Sequence, residues 1–134
     1  MPKQVRVVAA LIPDPENPSR FLVQQRLPGK SRPLLWEFPG GKVEAGETDE
    51  QALVRECREE LAVELKVGAL RWETVHGYPD LVVALALYSA DLVSGTPQPL
   101  SCHALRYATP KEMQALPFCE ADLPLLDELV RAGR

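Results

Sequence analysis

Residues 40–63, GGKVEAGETDEQALVRECREELAV, join a glycine-containing loop to an acidic helix and give the strongest indication of the fold. Thr48 and Gln51 have the spacing of a capping box, which predicts a helix that begins at Thr48 and runs to about Leu61. Every fourth residue from Leu53 is apolar, so one stripe of this helix should face the core.

Three carboxylates crowd a second side of the same helix. Glu56 and Glu60 share a stripe, and Glu59 lies one turn from Glu56. Like charges at this spacing destabilise a helix by roughly 0.2–0.5 kcal/mol each, and a hard divalent cation with oxygen ligands would turn that repulsion into binding. Taken alone, residues 55–60 are read more simply as a solvated face in which Arg55 pairs with Glu59.

The glycines before the helix change that interpretation. Gly40 and Gly41 permit close backbone approach and unusual dihedral angles, and Gly46 adds a further flexible point. A glycine loop that leads into an acidic helix is a plausible cradle for a metal-bound phosphate chain.

The rest of the chain predicts strands, turns and two further helices. A turn follows the first strand, residues 39–41 break regular structure, Thr109 and Glu112 begin a second helix in a capping box, and Asp122 caps the last helix. Strands are predicted at 5–12, 21–25, 70–75, 81–88 and 105–108, with 5–12 and 81–88 apolar on both faces. We therefore expect one domain, 1–134, of the α+β or mixed α/β class.

Composition narrows the classes of function. The formal net charge of -4 and the lack of a basic stripe argue against a nucleic-acid polymer as partner. Cys57, Cys102 and Cys119 form no CxxC pair, which favours free thiols in a cytoplasmic protein. No stretch of sequence approaches membrane-spanning length, so we expect no membrane association.

Residues 41–63 resemble the Nudix box, in which glycine and glutamate at fixed spacing precede Arg-Glu-apolar-x-Glu-Glu-x-Gly-apolar. The chain departs from the pattern at Ala62, where the family has a glycine that relieves a left-handed helix end. The matching residues are Gly41, Glu47, Arg55, Glu56, Cys57, Glu59, Glu60 and Val63.

The resemblance implies a Nudix fold, with a mixed curved sheet between helices, and metal-dependent hydrolysis of a diphosphate linkage. It implies that Glu56, Glu59, Glu60 and the Gly41 carbonyl hold Mg²⁺, or Mn²⁺ in its place. Arg55 would orient the glutamates, and Glu47 would support the loop–helix junction. Glu56 is the favoured general base and Glu59 the alternative, while Glu44 is either a further ligand or an exposed loop residue.

The flanking segments resemble the MutT branch of the family, which acts on nucleoside triphosphates. Arg26 matches a basic position that contacts nucleotide, or is a surface arginine. Phe38 would stack on a base, or belongs to the core. Gly40 and Lys42 are further candidates for substrate binding. Asp122 would hydrogen-bond the base edge, or serves only as a helix N-cap.

Two departures bear on the substrate. The loop 99–103 has no acid where the branch often adds a carboxylate, and Leu81 replaces a commonly basic residue. His76 and His103 are interpreted as structural or surface residues.

The expected activity converts a nucleoside triphosphate to its monophosphate and pyrophosphate, as in sanitising the nucleotide pool for DNA repair. The favoured substrates are damaged purine nucleotides such as 8-oxo-dGTP, followed by CTP or modified dCTP. Alternatives are hydrolysis of a nucleotide sugar or dinucleoside polyphosphate, and a non-catalytic nucleotide-binding module. The oligomeric state stays open between monomer and homodimer.

Overall fold

The computed structural model describes residues 3–132. Over these residues the chain forms eight strands and three α-helices, and a one-turn 3-10 helix, Glu120–Asp122, runs directly into the last helix. The strands are β1 (Lys3–Leu11), β2 (Pro13–Asp14), β3 (Asn17–Gln25), β4 (Trp36–Glu37), β5 (Gly40–Lys42), β6 (Glu64–Gly77), β7 (Leu81–Ser94) and β8 (Ala104–Ala108). The helices are α1 (Asp49–Leu61), α2 (Pro110–Gln114) and α3 (Leu123–Arg131).

The strands form two sheets. In the first, the order is β5-β1-β7-β6; β1 and β7 run parallel and the outer pairs are antiparallel. In the second, β3 pairs antiparallel with β2, β4 and β8. The mixed sheet matches the predicted class, and its central strands β1 and β7 are covered on both faces.

The two faces of β1 belong to two different cores. Ala9 and Leu11 pack in a cluster with α3 residues such as Leu125. Val8 and Ala10, which alternate with them, pack in a second cluster with the apolar stripe of α1. The mixed sheet therefore lies between α1 on one side and α2 and α3 on the other, as the sequence predicted.

The predicted capping boxes are confirmed. The Thr48 hydroxyl accepts a hydrogen bond from the Gln51 backbone N–H at 3.1 Å, and the Thr48 N–H donates to the Gln51 side chain at 3.0 Å. Thr109 and Glu112 make the same reciprocal pair at the start of α2. Each box satisfies backbone donors that the first helical turn leaves free, and so fixes where the helix begins.

Two local predictions are wrong. The predicted break at residues 39–41 is wrong for Gly40 and Gly41, because they belong to β5, which pairs with β1 and places Gly41 opposite Val8. A side chain on Gly40 would overlap the Val8 carbonyl oxygen, so glycine allows this close pairing. Residues 13–14 of the predicted turn form the short strand β2.

Strand β6 is much longer than the predicted strand 70–75. Its register with β7 shifts between Val67 and Leu70 and again between Leu70 and Trp72. These bulges disrupt the two-residue alternation along the strand, which is why the periodicity missed its first half. Separately, no helix within residues 3–132 combines the length and apolar character needed to cross a membrane.

Candidate active site

The end of β5 and the second half of α1 meet at one contact. A methyl group on Gly41 would overlap the Glu56 carboxylate as it lies here, so glycine allows the carboxylate to approach the backbone this closely. The contact places the Gly41 backbone beside the first of the three helix glutamates. The loop between them therefore acts as a fixed junction between sheet and helix.

Arg55 connects α1 to the loop that precedes it through several hydrogen bonds. Its guanidinium donates to the two Glu47 oxygens at 2.7 and 2.9 Å, and to the Lys42 carbonyl oxygen at 3.1 Å. Its Nη1 donates to Glu56 at 3.0 Å and to Glu59 at 2.9 Å. A planar guanidinium with several donors can orient several carboxylates at once, which a lysine cannot do.

Glu47 is held on two sides. The hydrogen bonds from Arg55, followed by one from the Glu44 backbone N–H, lower the pKa of Glu47 to about 2. Glu47 is therefore ionised and serves to close the loop onto the helix. Glu44 lies 3.4 Å from Arg55 and is largely exposed.

Glu60 has the opposite environment. Burial, and then the charge of Glu56, raise the pKa of Glu60 to about 8. Two carboxyl groups that crowd each other in this way form an oxygen-only donor pair, which a hard divalent cation would stabilise. Glu56 and Glu60 therefore fit a magnesium-type ion.

The Glu59 side chain does not form a close group with Glu56 and Glu60. Its side chain is 60% exposed and lies against Arg55. Within residues 3–132, no three His, Cys, Asp or Glu side chains are close enough together to hold a metal ion. Glu59 would have to exchange its bond to Arg55 for a bond to the ion, so the predicted three-glutamate set stays a prediction.

A cavity of about 580 Å³ opens beside this junction. It is lined by Gly41, Glu56 and Glu60, and by apolar residues of β1 and β7 such as Val7 and Leu85. Five residues predicted to bind substrate also line it, namely Arg26, Phe38, Gly40, Lys42 and Asp122. Segments far apart in the chain therefore meet in one site of the size that small-molecule ligands occupy.

Comparisons with known proteins agree with this geometry. The NUDIX domain family model matches residues 3–129. The chain belongs to the NUDIX family. It is thus a Nudix hydrolase, as the sequence predicted.

One curated relative and one solved structure span nearly the whole chain, and a second relative spans about seven tenths of it. The chain is 37% identical over 134 residues to the CTP pyrophosphohydrolase of Escherichia coli strain K12, which covers 98% of this chain and 97% of that protein. It is 38% identical over 97 residues to the 8-oxo-dGTP diphosphatase of Haemophilus influenzae, covering 72% and 71%. The solution structure of the Escherichia coli ORF135 protein superposes with a TM-score of 0.78 at 36% identity, covering 99% of this chain and 94% of that one.

The Nudix cavity contains a residue that sequence analysis missed. Glu37 accepts hydrogen bonds from Gln24 at 3.1 Å and from Arg26 at 3.1 and 3.3 Å. It stands as the one acid in the apolar run 34–38, and that isolation is the signal that could have identified it.

The structure excludes one of the two roles predicted for Asp122, that of helix N-cap. It occupies the N-cap position of α3, but its side chain makes no capping hydrogen bond, so the capping interpretation is wrong. The second helical residue, Pro124, has no N–H to offer, and the preceding 3-10 turn holds Asp122 in helical dihedrals. Instead its side chain lines the Nudix cavity at 5% exposure. Burial, and then the charge of Glu37, raise the pKa of Asp122 well above its usual range.

Arg26 and Phe38 also have defined surroundings. Arg26 is partly buried and bonds the Ser31 carbonyl oxygen at 2.7 Å in addition to Glu37, so it is not a free surface arginine. Phe38 is a core residue whose ring lies 5.7 Å from that of Phe118, and it also lines the cavity. The three cysteines are free and buried, in line with the prediction.

Proposed function

We propose that this protein is a Mg²⁺-dependent nucleoside triphosphate pyrophosphohydrolase that releases a nucleoside monophosphate and pyrophosphate. The supporting observation is one cavity that is lined both by the Glu56–Glu60 carboxylate pair and by the buried Asp122 carboxyl group, which we assign as its phosphate end and its base end. A phosphate chain and a base are the two ends of a nucleotide. The acidic pair is suited to a cation that would hold the phosphate chain, and the buried hydrogen-bonding group is suited to the base.

Glu56, Glu59, Glu60 and the Gly41 carbonyl are the residues we propose to hold Mg²⁺, or Mn²⁺ in its place. When bound, the ion would neutralise phosphate charge and lower the pKa of the attacking water. Arg55 orients Glu56 and Glu59, since it donates to both. Glu56 takes the proton of the water as general base, with Glu59 as the alternative.

The remaining cavity residues bind the substrate in this proposal. Lys42 follows Gly41 and supplies positive charge at the phosphate end. Arg26 and Gly40 line the wall between the two ends, and Phe38 contributes an aromatic surface. Burial, and then the charge of Glu37, raise the pKa of Asp122 and so favour its protonated form, which can both donate and accept a hydrogen bond at the base edge.

Two substrate classes follow. Damaged purine triphosphates such as 8-oxo-dGTP are the first, in keeping with the relatives named 8-oxo-dGTP diphosphatase. CTP or modified dCTP is the second, because the relative that matches over nearly its full length is named CTP pyrophosphohydrolase. The corresponding role is cytoplasmic sanitising of the nucleotide pool by a single-domain enzyme, monomeric or homodimeric, that guards DNA against altered bases.

The decisive experiment replaces Glu56 by Gln and measures pyrophosphate release from these triphosphates with Mg²⁺. General-base catalysis typically contributes 10²–10⁴-fold, so we expect kcat to fall by about that factor. Glu50→Gln is the matched control, since Glu50 lies on the exposed first turn of the same helix and should retain activity. Unchanged activity in Glu56→Gln would contradict the mechanism.

Measuring hydrolysis of a panel of substrates distinguishes the proposed activity from the alternative ones. The wild-type kcat/KM for 8-oxo-dGTP and CTP should exceed that for nucleotide sugars and dinucleoside polyphosphates. A preference for either of the latter would replace the proposed substrate, and binding without turnover would indicate a non-catalytic module.

A further inference from the structure

Arg32 is held in an unusual conformation at the rim of the cavity. Its φ angle is 51°, and that of Leu34 is 61°, so two side-chain-bearing residues of the loop after β3 lie in the left-handed region. This conformation is unfavourable for a residue that has a Cβ atom, and it persists only where other contacts hold it.

Those contacts come from the turn between β6 and β7. Arg32 Nη1 donates to Asp80 Oδ1 at 3.0 Å and Nη2 donates to Oδ2 at 3.4 Å. The central carbon of the guanidinium lies 4.1 Å from the centroid of the Tyr78 ring. With the side chain only 19% exposed, Asp80 holds the edge of the guanidinium and Tyr78 covers one face.

The position of Tyr78 assigns Arg32 to the base end of the cavity. Arg32 and Tyr78 both line the cavity, and the Tyr78 hydroxyl accepts a hydrogen bond from the Ala121 N–H, next to Asp122, at 3.0 Å. The phosphate end, by contrast, is built on Gly41 and Glu56. Because the charge of Arg32 is already paired with Asp80, the part of its guanidinium left to contact a ligand is the flat face opposite Tyr78.

We propose that Arg32 is a specificity-determining residue whose guanidinium, fixed by Asp80 and Tyr78, stacks on the bound base. This inference rests on the proposed function, because it presumes a nucleotide in the cavity. Stacking on a planar cation is favourable for every base, and the β7 residues that line the cavity, Leu81, Val83 and Leu85, supply no basic group. Asp80 acts as a positioning residue, since it contacts Arg32 and does not line the cavity.

The test compares Arg32→Lys with wild type, using two inhibitors of hydrolysis. One is a non-hydrolysable α,β-methylene nucleoside triphosphate, and the other is inorganic tripolyphosphate, which has no base. Lysine keeps the charge but loses the planar face, so the inhibition constant of the nucleotide should rise about 5- to 30-fold. That of tripolyphosphate should change less than about twofold.

Two further variants sharpen the result. Asp80→Asn should weaken nucleotide inhibition less than Arg32→Lys does, and should raise KM while kcat stays near the wild-type value. Arg71→Lys is the matched control, because Arg71 lies on the exposed face of β6 and bonds Ser89.

The outcomes are distinguishable. If Arg32→Lys leaves nucleotide inhibition unchanged, or weakens both inhibitors equally, the stacking role is overturned while the proposed function stands. If wild type neither hydrolyses nucleoside triphosphates nor is bound by the methylene analogue, the proposed function itself fails.

Discussion

Asp122 is the residue whose chemistry depends most strongly on its surroundings. Its carboxyl group is buried in the lining of the cavity, and both burial and the charge of Glu37 raise its pKa. A raised pKa in the folded state means that folding favours the protonated form. The contribution of Asp122 to the free energy of unfolding is therefore fully present below the pKa that Asp122 has in the unfolded chain. It is lost as pH rises toward the pKa of Asp122 in the folded state.

Replacing Asp122 by Asn should remove this pH dependence, because the amide has the same shape and does not titrate. Near pH 8 the variant should be more stable by about 1–3 kcal/mol, the usual penalty for a poorly satisfied buried polar group. Near pH 4 the difference should shrink. Thermal unfolding of both proteins across this range measures the effect, and Asp127→Asn, on the exposed side of α3, is the control. A difference in Tm that does not vary with pH would contradict the assignment.

At the scale of elements, the C-terminal end of α1 combines a strained cap with a supporting loop. Ala62 adopts left-handed dihedrals, φ 58° and ψ 38°, at the position where the Nudix box has glycine. The free carbonyls of Glu60 and Leu61 accept hydrogen bonds from Leu100 at 3.2 Å and Gln98 at 2.9 Å. The acid-free loop 99–103 thus contributes to capping the helix that bears the glutamates.

Ala62→Gly should stabilise the protein, because glycine adopts the left-handed conformation without the Cβ penalty. The expected gain is about 0.5–1 kcal/mol, or a rise in Tm of about 2–4 °C. Ala115→Gly is the matched control: Ala115 ends α2 in the right-handed region, where glycine should lower Tm. Equal shifts in the two variants would show that backbone strain at Ala62 does not limit stability.

At the scale of the whole molecule, the cavity exists because separate layers converge. The mixed sheet supplies its floor, α1 supplies Glu56 and Glu60, and the segment before α3 supplies Asp122. A ligand of Glu56 and Glu60 therefore stabilises the joined layers and not α1 alone. Any cation bound there should raise the stability of the entire fold by mass action.

Mg²⁺ should accordingly raise the Tm of the wild-type protein, and EDTA should reverse the rise. At ten times the dissociation constant the gain is about 1.4 kcal/mol, which corresponds to a few degrees. In Glu56→Gln the rise should be much smaller, because one carboxylate of the crowded pair is gone. Glu64→Gln, which alters an exposed ion pair with Arg58, should respond like wild type. A full response in Glu56→Gln would place the cation elsewhere.

The local features of this protein were predictable from sequence because they depend on neighbouring residues. Capping boxes and apolar periodicity located the helices α1 and α2, and fixed spacing identified the Nudix box from Gly41 to Val63. The left-handed end of α1 at Ala62 followed from the same pattern. These features need only the geometry of a single helix and its two ends.

Tertiary structure decided which side chains share the cavity. Arg32 and Tyr78 carry no local signature, since their roles arise from contacts between segments far apart in the sequence, and Glu37 shows only as the isolated acid of an apolar run. The same holds for Asp122, whose neighbours made it a buried cavity residue where local pattern suggested a helix cap, and for β6, whose bulges hid its alternation. The sequence by itself determined the family, the acidic helix and its glycine junction. The burial of the cavity side chains and their hydrogen-bond and ion-pair partners set the pKa values and the shape of the base end. Both depend on how the layers pack together.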